Sequence, residues 1–86
     1  MNRIELKQIL LDAGVPPLEF SLFKNDRRKV DTVVCLWPTS DKKYEFYIYE
    51  RGKKYEVREY SAENDGCKAV LEEFSYSYPE LIQYIK

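Results

Sequence analysis

Hydrophobic and polar positions divide the chain into seven segments. Asn2–Ala13 carries Leu6, Ile9, Leu10 and Ala13 at the i, i+3, i+4, i+7 spacing of one helix face. Asn2 is placed to cap that helix, and Gly14 falls where a left-handed C-terminal residue is expected. Pro16 and Pro17 forbid continuation. Leu18–Phe23 then alternates, with Leu18, Phe20 and Leu22 on one side, which is the period of a strand. After KNDRRK, with Asn25-Asp26 as its turn signal, Val30–Trp37 is β-branched and apolar on both sides, as in a central strand.

Lys43–Glu50 and Lys54–Tyr60 read as a hairpin around Arg51-Gly52-Lys53. A two-residue loop at Arg51-Gly52 sets Glu50 against Lys53, Ile48 against Tyr55, Phe46 against Val57 and Glu45 against Arg58. Moving the loop to Gly52-Lys53 would oppose Arg51 and Lys54. Cross-strand pairs are worth up to about 1 kcal/mol each, so the first register is expected. It requires positive φ at Arg51. Ser61 is a plausible cap for a following helix, with Glu63 and Asp65 near its positive end. In that helix Cys67, Val70, Leu71 and Phe74 form one apolar stripe. Gly66 weakens its first turn by roughly 1 kcal/mol relative to alanine. Pro79 suits the first position of a last helix, with Tyr78, Leu81, Ile82 and Ile85 as its stripe.

The predicted fold is α+β, a single domain over residues 1–86. Its order α-β-β-β-β-α-α describes a four-stranded antiparallel meander with an N-terminal helix and two C-terminal helices. One sheet face (Leu18, Phe20, Leu22, Val30, Val34, Leu36, Tyr44, Phe46, Ile48, Tyr55, Val57) is apolar enough to receive the first two helices. The other carries Val33, Cys35, Trp37, Tyr47, Tyr49 and Tyr60 among charged residues, and either the last helix or a partner is expected to cover it.

At 86 residues, 44% hydrophobic and 34% charged, the composition is that of one globular domain. No apolar run approaches the roughly 20 residues of a membrane span. The charged and apolar residues of MNRIELKQILLDAG do not read as a secretory signal. Cys35 and Cys67 are too few for a disulfide framework and read as reduced core residues, so the expected compartment is the cytoplasm.

Charge is unevenly distributed. Residues 1–43 carry eight Lys/Arg and six Asp/Glu, and residues 44–86 carry six and nine. Between residues 59 and 80, six acids face Lys68 alone. Solvated helix charge is the plain reading of that excess; attraction of a basic partner is the functional one.

Catalytic equipment is scarce. The absence of histidine removes the commonest general base and metal ligand, and two separated cysteines do not make a usual zinc site. Gly14, Gly52 and Gly66 are isolated, so no phosphate-binding loop exists. No enzyme, metal or cofactor is expected. The basic run Lys24, Arg27, Arg28, Lys29 beside Phe23 suggests nucleic acid as an alternative ligand, against the acidic balance of the whole chain.

Eight tyrosines are many for this length. Tyr44 and Tyr55 belong to the inward face of the hairpin, whereas Tyr47, Tyr49 and Tyr60 point outward and supply contact area at low entropic cost.

The strand ending in the turn Tyr49-Glu50-Arg51-Gly52, followed by a helix opening Ala62-Glu63-Asn64-Asp65-Gly66-Cys67, resembles the small α+β immunity proteins of bacterial polymorphic toxin systems, including contact-dependent growth inhibition. The resemblance spans roughly residues 2–74. The chain departs from it in the KNDRRK loop and the Tyr-Pro-Glu-Leu-Ile end, and no binding residue carries over. It implies a cytoplasmic inhibitor that occludes a cognate toxin domain, in many systems a nuclease with a basic cleft. The residues expected to meet such a toxin are Tyr47, Tyr49, Glu59, Tyr60, Glu63, Asp65, Glu72 and Glu73. A homodimer formed through the second sheet face is a further alternative.

Overall fold

The computed structural model describes residues 1–23 and 32–85. Helix α1 spans Arg3–Asp12. Its start is closed by a reciprocal pair: Glu5 N donates to Asn2 Oδ1 at 2.9 Å, and Asn2 N donates to Glu5 Oε1 at 3.1 Å. Its end is closed by Gly14 at φ 89°, with Gly14 N bonded to Leu11 O and Val15 N to Leu10 O. Both ends therefore lie where the sequence places them.

A short 3-10 turn, Pro17–Glu19, leads into β1 (Phe20–Ser21), β2 (Thr32–Pro38), β3 (Tyr44–Glu50) and β4 (Lys53–Tyr60). The sheet order is β1-β2-β3-β4. The expectation of a fully antiparallel meander fails at its first step: β1 runs parallel to β2, pairing Phe20 with Val34 and Ser21 with Cys35. Antiparallel hairpins are commonly joined by two to five residues, whereas ten separate Ser21 from Thr32, so a tight hairpin is not imposed on this pair. The predicted strand Leu18–Phe23 shrinks to two residues for the same reason, as an edge contact rather than a hairpin arm. Val30, the Asn25-Asp26 turn and the Lys24–Lys29 run lie outside the described residues.

Helix α2 (Glu63–Ser75) buries Cys67, Val70, Leu71 and Phe74, the stripe the spacing predicts, together with Gly66 and Ala69. Ser61 is not its cap. The capping position is Ala62, without a side-chain bond, and the first turn relies on Asp65 and Gly66 N–H groups donating to Ala62 O. The last segment, Pro79–Tyr84, is a 3-10 helix. Three residues per turn put Leu81 in line with Tyr78 and leave Ile82 43% exposed, off the apolar stripe.

The main core joins Leu6, Leu10, Phe20, Val34, Leu36, Phe46 and the α2 stripe, and takes in Leu81. Both C-terminal elements thus lie on one face of the sheet. On the other, Val33, Cys35 and Tyr47 form a separate buried cluster with Trp37 and Tyr49 packed against it. Val33 and Cys35 are inaccessible and Tyr47 is only 5% exposed, so that face is not an open aromatic platform. The last helix does not cover it.

Candidate functional site

The hairpin turn holds Arg51 at φ 50° and Gly52 at φ 85°, with Glu50 paired to Lys53 and Ile48 to Tyr55 as expected. Beyond Ile48 the register shifts. Glu56 takes φ 52°, and β4 accommodates one extra residue opposite Tyr47. Phe46 therefore faces Arg58 rather than Val57, and Glu45 faces Glu59 rather than Arg58. Val57 is turned out of the inward set and is 51% exposed. Tyr60 moves the opposite way. It pairs with Tyr44 and packs against the main core, so it does not share a face with Tyr47 and Tyr49.

The bulge also sets like charges opposite one another. Glu45 and Glu59 would repel, but Lys54 Nζ lies 3.2 Å from Glu45 and Lys43 Nζ 3.5 Å from Glu59. Lys54 Nζ further sits 4.4 Å from the centroid of Tyr47. Glu59 and Tyr47 are thereby part of a neutralised, partly closed surface. Charged residues and a bulge also discourage another strand from pairing with the outer edge of β4.

A different surface collects carboxylates that form no close ion pair among the described residues. Glu56, directed to the α2 side by the bulge, lines a depression of about 190 Å³ with Arg58, Ala69, Glu72, Glu73 and Tyr76. Among the described residues, no ion-pair partner lies within 4.0 Å of Glu56, Glu72 or Glu73. Arg58 shares the depression, with its guanidinium carbon 4.5 Å from the Phe46 centroid, and makes no ion pair within 4.0 Å with these carboxylates. Tyr76 is 80% exposed at the end of α2.

Glu73 also borders a larger cleft of about 430 Å³ on the other flank of α2. Glu19 from the 3-10 turn, Thr32 and Val34 of β2, and Phe74, Ser77 and Tyr78 also line it. Acidic surface thus runs from Glu19 past Glu73 to Glu72 and Glu56.

The remaining expected site residues separate from this band. Glu63 is bound to Arg3 and ties α2 to α1. Asp65 is exposed in the first turn of α2. Of the eight residues expected at the interface, the fold brings together Glu72 and Glu73 on the acidic band, and Tyr47, Tyr49 and Glu59 on the opposite sheet face. Glu56, Glu19 and Tyr76 escaped the sequence reading. Only a bulge could bring Glu56 to α2, and strict alternation along β4 carries no sign of one.

Cys35 and Cys67 are both buried, on opposite sides of the sheet. Burial pushes the Cys67 thiol up to about 11, with the Glu63 carboxylate acting in the same direction, so it stays protonated and unreactive near neutral pH. No helix among the described residues is long and apolar enough to cross a membrane.

Comparison with protein-family models, curated proteins and solved structures finds no match to this chain.

Proposed function

We propose that this chain is a binding protein of the immunity type, which neutralises a basic toxin domain by covering its active site or substrate surface with the band formed by Glu56, Glu72 and Glu73. The observation that carries the reading is the convergence of these three carboxylates, from two separate elements, around one depression that they share with Arg58 and in which none of them has an ion-pair partner within 4.0 Å among the described residues. Carboxylates left unpaired on a rigid helix and strand cost little in the free protein and await positive charge. They raise the encounter rate with a basic surface and select against acidic partners. Tyr76, 80% exposed, lines the depression and supplies the large amphipathic area that interface centres favour. A nuclease cleft that holds phosphate is a surface of the complementary kind. The work required is association and occlusion, which fits a chain without histidine.

The reading keeps Glu72 and Glu73 from the expected interface and adds Glu56 and Tyr76. Its test is co-expression with the toxin domain encoded in the neighbouring gene. The wild-type chain should restore growth and form a complex whose association rate falls steeply with salt. Glu72→Lys with Glu56→Lys should abolish both while leaving the far-UV spectrum unchanged. Failure of the wild-type chain to bind, or full binding by the double reversal, overturns the proposal.

A further inference from the structure

We infer that the cleft between the start of β2 and the C-terminal end of α2 is a receptor for one arginine side chain of the partner protein. The inference rests on the reading that the chain binds a basic protein, and it names the anchor.

The cleft is about 430 Å³, within the roughly 300–1,000 Å³ range of ligand-binding cavities, and is formed by three separate elements. Among the described residues that line it, the two that carry charge at neutral pH are both carboxylates, Glu19 from the 3-10 turn and Glu73 from α2. Both are half-buried, and neither has an ion-pair partner among the described residues. Its other polar groups are the hydroxyls of Thr32, Ser77 and Tyr78, which can all accept. The Thr32 hydroxyl donates its proton to Glu50 Oε1 at 3.2 Å, leaving its lone pairs for an incoming donor. Phe74 and Tyr78 supply aromatic surface, held edge-to-face with centroids 6.4 Å apart.

That combination discriminates among ligands. Two carboxylates exclude an anion. An apolar group would leave both of them unpaired in a partly desolvated cleft. A guanidinium matches on every count: five N–H donors and no acceptor, a positive charge shared over a plane, and weak hydration that tolerates aromatic contact. Its fork of donors can address acceptors from more than one element at once. An ammonium is a compact, strongly hydrated point charge that suits such acceptors and aromatic surface less well. The cleft adjoins the Glu56/Glu72/Glu73 depression through Glu73, so an arginine seated there would sit at the edge of the same contact.

The test is an amide-resolved NMR titration of the intact chain with Nα-acetyl-arginine amide, against the matching lysine and norleucine amides and spermidine. Arginine amide should give saturable shifts at residues 19, 32 and 73–78 with a millimolar dissociation constant, several-fold tighter than lysine amide. Norleucine amide should give none. Glu19→Gln and Glu73→Gln should each weaken binding at least fivefold, with distant amide shifts unchanged as evidence of folding. Arginine shifts no larger than those of norleucine, or unaltered affinity in both variants, would overturn the assignment. Tighter binding of spermidine at the same residues would overturn it in favour of a free amine. Glu72→Lys separates this result from the broader reading, because Glu72 lines the depression and not the cleft. If that variant loses the toxin domain while the cleft ignores arginine, only the cleft assignment falls.

Discussion

Glu63 accepts two hydrogen bonds from Arg3, one from its backbone nitrogen at 3.0 Å and one from Nε at 3.2 Å. Arg3 also donates through Nη1 to Leu22 O at 2.7 Å, and its guanidinium carbon lies 4.9 Å from the Phe23 centroid. A carboxylate that looked like part of an interface is thus the joint between α1, α2 and the end of β1. The side chains are 19% and 28% exposed, so solvent screens the pair only partly. Glu63→Ala should cost about 1–2 kcal/mol, measured by urea unfolding, and leave partner affinity within twofold. A loss of affinity without a loss of stability would return Glu63 to the interface.

At Gly66, α2 packs tightly against Leu36 of β2. A Cβ there would come within 2.7 Å of Leu36 Cδ1 and 3.3 Å of Cδ2. Leu36 is fully buried, so its methyls cannot yield without displacing neighbours. Gly66→Ala adds about 1 kcal/mol of helix propensity, but overpacking costs about 1–3 kcal/mol, so a net destabilisation of about 1 kcal/mol is expected. In a Leu36→Val background, which removes a methylene, Gly66→Ala should be neutral or stabilising. Equal effects in both backgrounds would refute the steric account.

Arg51 and Glu56 both hold left-handed backbone, at φ 50° and 52°. Asparagine enters that region at lower cost than either. Arg51→Asn should therefore raise stability by about 0.5–1 kcal/mol, which at this chain length is a melting-temperature gain of several degrees. Glu56→Asn should be neutral or stabilising by the same argument, yet weaken the proposed association with a basic toxin domain by removing a carboxylate from the depression. Calorimetry and binding on the two variants separate backbone strain from surface charge.

Cys67 gives a pH dependence of definite sign. Its thiol rises from an ordinary value of 9.0 to about 11 in the folded chain. Below pH 9 both states hold the proton and the thiol contributes nothing to the slope. Between pH 9 and about 11 only the unfolded chain releases it, so stability falls as pH rises. Wild type should lose more stability across that window than Cys67→Ala, even though the variant starts lower because of its cavity. Parallel pH profiles would show that burial does not govern the thiol.

Much of the local chemistry of the chain was legible in its residues: Asn2 caps α1, Gly14 ends it and Arg51-Gly52 turns the hairpin, because each depends on neighbours within four positions, whereas the start of α2 falls at Ala62 and not at the Ser61 that the sequence suggested. The α2 stripe was equally plain, since helical spacing alone selects Cys67, Val70, Leu71 and Phe74. Long-range order was not. The parallel pairing of β1 depends on where a ten-residue connection returns the chain, and hydropathy does not record direction. The bulge at Glu56 follows from closing β4 against β3 and α2 together, and one added residue moves every later side chain to the other face of the sheet. The hairpin-and-helix pattern of residues 44–74 therefore determined by itself that aromatic and acidic side chains would stand on rigid elements. Only the tertiary structure decided which of them meet: the bulge sends Tyr60 into the core and Glu56 to Glu72 and Glu73, while Arg3 takes Glu63 out of the exposed charge.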